Sequence, residues 1–335
     1  MKKTTLITLA IASMISCSNE EVLKSSSKEA ITFDNTFVEK ATRAIDGSYN
    51  TGSLQQFQAY GTITNQAGGT ANIFNGQAVN KGGTGVGINW TYDASNTQYW
   101  IPGNTYNFRA VVDGNITNVT TVSQDENSMP TAVNLHDASA QKDILYAAVS
   151  PIPYTGGQPN PVSFIFDHLM SKAKFTVKNT ITTDNGYNYQ VSNITIKDTE
   201  KNGVYSIGTG WEAAETPSYY DLSFGNAVTI GTDQATEAIS IGYNGSAESN
   251  YERLLIPGEK SLTINFDYLL LKDGKTIDTQ NKNVYANTLT LEAGKAYNFV
   301  IKLGNPGEPI TFDVSSVSNW DTDHNDDGTD DEKEI

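Results

Sequence analysis

Residues 323–334 read DHNDDGTDDEKE and place oxygen ligands at the spacing of a calcium loop. Asp323, Asn325, Asp327 and Glu334 occupy positions 1, 3, 5 and 12 of D-x-[DN]-x-[DN]-G-x5-E, with Gly328 at the sharp turn. The chemistry would be coordination of a hard cation by carboxylate and amide oxygens. The setting opposes it. Position 8, where such loops carry an apolar residue that pairs with a partner loop, is Asp330. An alternating strand pattern precedes the run instead of a helix, and only Ile335 follows it. A run this rich in Asp meets the pattern easily, so residues 321–335 are expected to be a solvated acidic tail. Calcium is the one cofactor candidate, and otherwise no cofactor is expected.

The remaining residues give little catalytic chemistry. The three histidines, His136, His168 and His324, form no H-E-x-x-H and no pair at helical spacing. His168 follows a strand pattern and is expected to be a hydrogen-bonded structural residue. No G-x-S-x-G elbow occurs. The run Lys81–Gly87 is Gly-rich but lacks the order of a phosphate loop, and no helix pattern follows it, so it reads as a hairpin connection. Trp90, Trp100, Trp211 and Trp320 could stack on sugars, but each lies near an alternating strand, where core or rim packing is the expectation. Carboxylates are plentiful and unpaired by any motif, which leaves a glycosidase only a remote reading. The chain reads as a non-enzyme.

Two further positions carry processing chemistry. Lys2 and Lys3 precede a short apolar stretch, Leu6–Ile15, which has the form of a secretory signal and is too short for a membrane span. The single cysteine, Cys17, follows Met14-Ile15-Ser16 in a stretch that resembles a bacterial lipobox, which implies cleavage before Cys17 and lipidation of its thiol. An ordinary signal peptide with a chance cysteine is the alternative. Ser18-Asn19-Glu20-Glu21 resembles the signal that sends lipoproteins to the cell's outer face in Bacteroidetes, or is a plain linker.

These positions need a scaffold, and the sequence predicts an all-β one. Period-two alternation marks Val162–Phe166, Ala173–Val177, Leu262–Phe266, Tyr297–Leu303 and Ile310–Val314. Turn signals separate the strands at Asn185-Gly186, Asn202-Gly203, Asn244-Gly245 and Asp273-Gly274. No amphipathic helix pattern exceeds three turns. The 335 residues suit about two domains of ~150 each, and many short strands with dense turns read as β-sandwiches. The expected division is a signal peptide at 1–16, a lipidated leader at 17–44, β-sandwiches at 45–168 and 169–320, and the tail at 321–335. The net charge of -16 argues against nucleic acid as a partner. The tail alone holds eight acids and one lysine.

Several stretches together resemble the fimbrillin family of Bacteroidetes, pilus-subunit lipoproteins. They are KATRA (40–44), FQAYGTIT (57–64), YWIPGNTYNFRAVV (99–112), KDILYAAV (142–149) and VSFIFDHLMSKAKFTV (162–177). In the second half they are LLIPGEKSLTINFDY (254–268), LEAGKAYNFVIKL (291–303) and ITFDVSSVSNW (310–320). The resemblance implies two tandem transthyretin-like β-sandwich domains, export to the outer membrane on a lipid anchor at Cys17, and assembly with other fimbrillin-like subunits by strand exchange. It further implies cleavage by an Arg-specific protease between Arg43 and Ala44. Arg43 is the only arginine before Arg109. Upstream, Ile31 and Phe33 alternate on one face of a strand that such a cut would remove.

A shaft subunit must also donate an alternating apolar strand, and residues 321–335 offer none before Ile335. Either Ile310–Val317 is the donor, or it is the last strand of the second domain and there is no donor. The second option, preferred, points to a tip or accessory subunit supporting adhesion to a host or bacterial surface ligand. The competing reading is a lipidated glycan-binding protein of a polysaccharide-uptake system, which would have no use for a cut at Arg43.

Overall fold

The computed structural model describes residues 28–34, 37–38, 54–82, 89–113, 133–134, 141, 143–206, 209–229 and 239–319. The alternating sequence becomes strand almost throughout. One 3-10 turn, Ala94–Asn96, capped by the Asp93 carboxylate on the Ser95 N–H, is the helical element among the described residues. None of their helices is long and apolar enough to cross a membrane.

The first strands are β1 (Phe33–Asp34), β2 (Phe37–Val38), β3 (Gln56–Thr64), β4 (Thr70–Gly82), β5 (Asn89–Thr91), β6 (Asn104–Asp113), β7 (Val133–Asn134), β8 (Ile144–Tyr154) and β9 (Ile165–His168). Eight of them form one sheet in the order β1-β5-β4-β3-β6-β8-β9-β2. Because β1 and β2 belong to one short stretch, the sheet begins and ends on the same segment. The Gly-rich run joins β4 to β5, which pair antiparallel with Gly82 opposite Asn89.

The next strands are β10 (Ser171–Asn179), β11 (Tyr187–Glu200), β12 (Asn202–Ser206), β13 (Gly210–Ala213), β14 (Tyr219–Ser223), β15 (Ala227–Thr229), β16 (Ile239–Ile241) and β17 (Ser246–Ser249). The last are β18 (Arg253–Leu255), β19 (Gly258–Lys272), β20 (Lys275–Leu291), β21 (Lys295–Leu303) and β22 (Thr311–Asn319). One sheet runs β15-β17-β10-β21-β22 with β18 beside β10, and another runs β14-β11-β19-β20 with β16 beside β11. Their inner faces share a core that includes Phe175, Ile196, Phe266 and Phe299. A separate core, drawn from residues 31–166, fills the first sheet. Asp273 and Gly274 both take positive φ (47° and 76°) between β19 and β20, the backbone that a tight hairpin needs.

A corner is built twice. Gly103-Asn-Thr-Tyr106-Asn-Phe108 and Gly294-Lys-Ala-Tyr297-Asn-Phe299 place a glycine at positive φ (83° and 68°) three residues before a buried tyrosine. The Tyr106 hydroxyl accepts the Ile101 N–H at 2.6 Å, and the Tyr297 hydroxyl accepts the Glu292 N–H at 2.7 Å.

Two expectations are corrected. Asn202-Gly203 is not a turn; both residues lie in β12, with Gly203 opposite Ala213. The glycine is there for a close approach, since a Cβ would sit 3.1 Å from the Trp211 ring. Strand β10 is not buried on one face only. Lys172, Lys174 and Thr176 are buried beside the core-facing Ala173, Phe175 and Val177. Lys172 lies 3.6 Å from Glu252 and Lys174 lies 3.8 Å from Glu248.

Between the two cores lies a smaller cluster of Ile144, Leu169, Met170, Leu254 and Ile256. Polar contacts cross here. The Gln141 side chain donates to the Leu254 carbonyl and accepts from its N–H, each at 2.8 Å. Trp211 Nε1 donates to the Leu169 carbonyl at 2.6 Å. His168, at the end of β9, is a hydrogen-bonded structural residue as expected, with its Nδ1 on the fully buried Asp143 carboxylate.

Candidate functional site

The site is the stretch 28–34 with strand β2 at 37–38, and the two strand edges that hold them. Alternation directs Ile31 and Phe33 inward, and both are buried, at 0% and 2% exposure. On one flank the segment pairs antiparallel. Ile31 N–H donates to the Gln98 carbonyl at 2.8 Å, Trp100 N–H donates to the Glu29 carbonyl at 2.9 Å, and Phe33 lies opposite Trp90. On the other flank Val162 N–H donates to the Thr32 carbonyl at 2.8 Å, and Asp34 N–H donates to the Val162 carbonyl at 3.1 Å. Strand β2 continues this flank parallel to β9, with Phe37 opposite Ile165. The segment is therefore a strand inserted between two edges and bonded to both.

Side chains fix it further. The Phe33 ring stacks on Phe164 at 5.8 Å and meets Phe57, Phe74, Tyr92 and Phe108 at 5.6–6.4 Å. Burying an aliphatic or aromatic side chain of this size contributes about 1.5–3 kcal/mol, and favourable ring pairs add to it. The Tyr92 hydroxyl donates to the Ile31 carbonyl at 2.8 Å, and burial pushes its phenol above the ordinary value, so the donor stays protonated. Lys28 lies 5.6 Å above the Tyr99 ring.

Without this segment, the Trp100 and Val162 N–H groups and the Gln98 and Val162 carbonyls would lose the partners they have here. They would line a trench walled by Phe57, Phe74, Phe108 and Phe164. An open edge beside apolar rings is a template for an incoming strand.

Strand β22 is the second element of interest. It ends its sheet, paired antiparallel with β21 from Lys302–Thr311 to Lys295–Asn319. Phe312 and Val314 pack half-buried against the second core, and the Phe312 ring lies 5.6 Å from Phe299. Asp313 faces Lys302 at 3.1 Å, which holds its carboxyl below the usual range.

Cys17, Arg43, Ala44, His136, Trp320 and the calcium candidates Asp323, Asn325, Asp327 and Glu334 lie outside the described residues. Among the described residues no group of three His, Cys, Asp or Glu is placed to hold a metal ion. Trp90 and Trp100 are core residues, 5% exposed, and Trp211 is packed against the junction cluster. Sequence reasoning missed the receiving edges. Residues 98–100 and 162 are far from residue 31 along the chain, and only the strand pattern at Val162–Phe166 hinted at one of them.

A fimbrillin-like family model matches residues 42–320, a span that begins after the inserted segment. No curated protein matches the chain in sequence. Among solved structures, a fimbrial protein from Bacteroides vulgatus is similar over 87% of this chain and 99% of its own, with 18% identity and a TM-score of 0.63. A protein assigned to cell adhesion from Bacteroides uniformis is similar over 88% and 99%, with 18% identity and a TM-score of 0.50. Another, from Bacteroides ovatus, covers 89% and 99% at 15% identity and the same TM-score. The family match spans most of the chain, and the all-β architecture agrees with it: the protein belongs to the fimbrillin-like family.

Proposed function

We propose that this protein is a cell-surface pilus subunit that accepts a strand from another subunit in the groove now filled by residues 28–34, with 37–38 beside it. The carrying observation is the two-sided pairing of that segment, with Ile31 buried and Phe33 buried among five rings. Arg43 follows Val38 by only five residues. A cut between Arg43 and Ala44 would free a segment that is held by no covalent bond to the rest of the fold. A donor strand with apolar residues at alternate positions would then restore the ladder and the core together. Lipidation at Cys17 would hold the precursor at the outer membrane until the cut.

We assign it to the tip or an accessory place in preference to the shaft. Two observations support this. Strand β22 is laid down against β21 with Phe312 and Val314 packed half-buried against the second core. Residues 321–334 contain no alternating apolar positions. A chain starting at Ala44 should bind a synthetic peptide of residues 28–38, and the peptide with Ile31→Asp and Phe33→Asp should not bind. Mixed with a shaft subunit, the cut protein should give a heterodimer resistant to mild SDS. Ladders of this protein with itself would refute the tip or accessory assignment.

A further inference from the structure

We propose that the outer face of β11, β19 and β20 is a binding site for a neutral oligosaccharide, with Tyr285 as its stacking platform. Tyr285 is 71% exposed, the highest value for a large hydrophobic side chain among the described residues. It stands opposite Thr263, which in turn lies opposite Lys197. One step along the strands, Asn283 lies opposite Asn265, and one step further Asn281 lies opposite Asp267.

These side chains form one amide network. Asn265 Nδ2 donates to Asn281 Oδ1 at 2.7 Å and to Asn283 Oδ1 at 2.8 Å. Asn281 donates to Asp267 Oδ1 and Asn193 donates to Asp267 Oδ2, each at 2.7 Å. The network fixes its members before any ligand arrives, which lowers the ordering cost of binding. It leaves capacity for hydroxyl groups. Asn283 uses its carbonyl on Asn265 and keeps its amide N–H pair as donors, while each Asp267 oxygen accepts one bond and has a lone pair in reserve.

This combination fits a sugar. A pyranose presents a C–H face that stacks on an aromatic ring and a rim of hydroxyls that both donate and accept. The rows from Asn281 to Tyr285 span roughly 13 Å along the strand, room for a short oligosaccharide. The charge selects its type. Lys197 is paired with Asp221, so Asp267 is the carboxylate that the network presents, in a chain of net charge -16. A polyanionic glycan would be repelled. The site uses strands that take no part in the groove, so its test does not depend on strand exchange, and either reading can fail alone.

The test is a glycan array with the full chain, carrying neutral oligosaccharides and heparin, followed by calorimetric titration of the best neutral binder. Tyr285→Ala is expected to weaken binding at least about tenfold. Tyr285→Phe should stay within about threefold, because the ring face is kept. Asn283→Ala should weaken binding, and Tyr243→Ala, at an exposed tyrosine elsewhere, should not change it. Thermal melts should show each exposed tyrosine variant folded as the parent. Binding to heparin alone, no neutral binder at all, or a neutral binder indifferent to Tyr285→Ala would overturn the proposal.

Discussion

Phe33 joins more of the candidate site than any other residue, because one ring touches five others, three of them on β3, β4 and β6 and two, Tyr92 and Phe164, flanking β5 and β9. Phe33→Ala should cost about 3–5 kcal/mol in a full-length chain, read as a lower urea midpoint of the transition that exposes the first core. Tyr92→Phe removes one donor to the Ile31 carbonyl and should cost about 1 kcal/mol in the same assay. Burial raises several tyrosine phenols, and Tyr189, whose hydroxyl donates to the Gly304 carbonyl at 2.8 Å, is pushed up to about 12. Below pH 10 both folded and unfolded forms of this phenol are protonated. From pH 10 to about 12 the unfolded chain releases a proton that the folded chain keeps, so stability should fall as pH rises through that window. Urea midpoints at pH 8 and pH 11 would check it, and Tyr189→Phe should lessen the difference, the other raised phenols keeping the remainder. The alternation of Ile31 and Phe33 was legible from the sequence. Their ring partners were not, because residues 57–164 are brought to them only by the closed sheet.

At the scale of elements, the sequence located strands well and misread what surrounds them. Val162–Phe166 and Tyr297–Leu303 show their inward residues by period two, and the structure buries those residues, although the first strand, β9, begins only at Ile165 and Val162 makes an isolated bridge to Phe33. The alternation of β10 concealed two buried lysines, since a paired ammonium above a buried stem looks like a solvent-facing residue in a pattern of residue types. Asn202-Gly203 failed as a turn because glycine serves close packing as well as positive φ. The repeated Tyr106 and Tyr297 corners are visible in the sequence as GNTYNF and GKAYNF, but residue types alone do not show that each tyrosine hydroxyl bonds back to the chain five residues upstream. If the corners are equivalent, Tyr106→Phe and Tyr297→Phe should cost similar amounts, about 1 kcal/mol each, in chemical denaturation. A large cost at one corner and none at the other would show that the likeness is of sequence only.

For the whole molecule, the junction and the inserted segment decide how the parts behave together. Gln141→Ala would leave the Leu254 N–H and carbonyl without the Gln141 side chain, at about 1–3 kcal/mol for each buried group left unsatisfied. The expected result is a lower urea midpoint for the transition that exposes the junction cluster of Ile144, Leu169, Met170, Leu254 and Ile256. The central claim is that residues 28–38 are a temporary occupant of the groove. N-terminal sequencing of the protein recovered from the cell surface tests it most directly. A mature form beginning at Ala44 is the predicted result, and a surface form beginning at Cys17 that still carries Ile31 and Phe33 would contradict it.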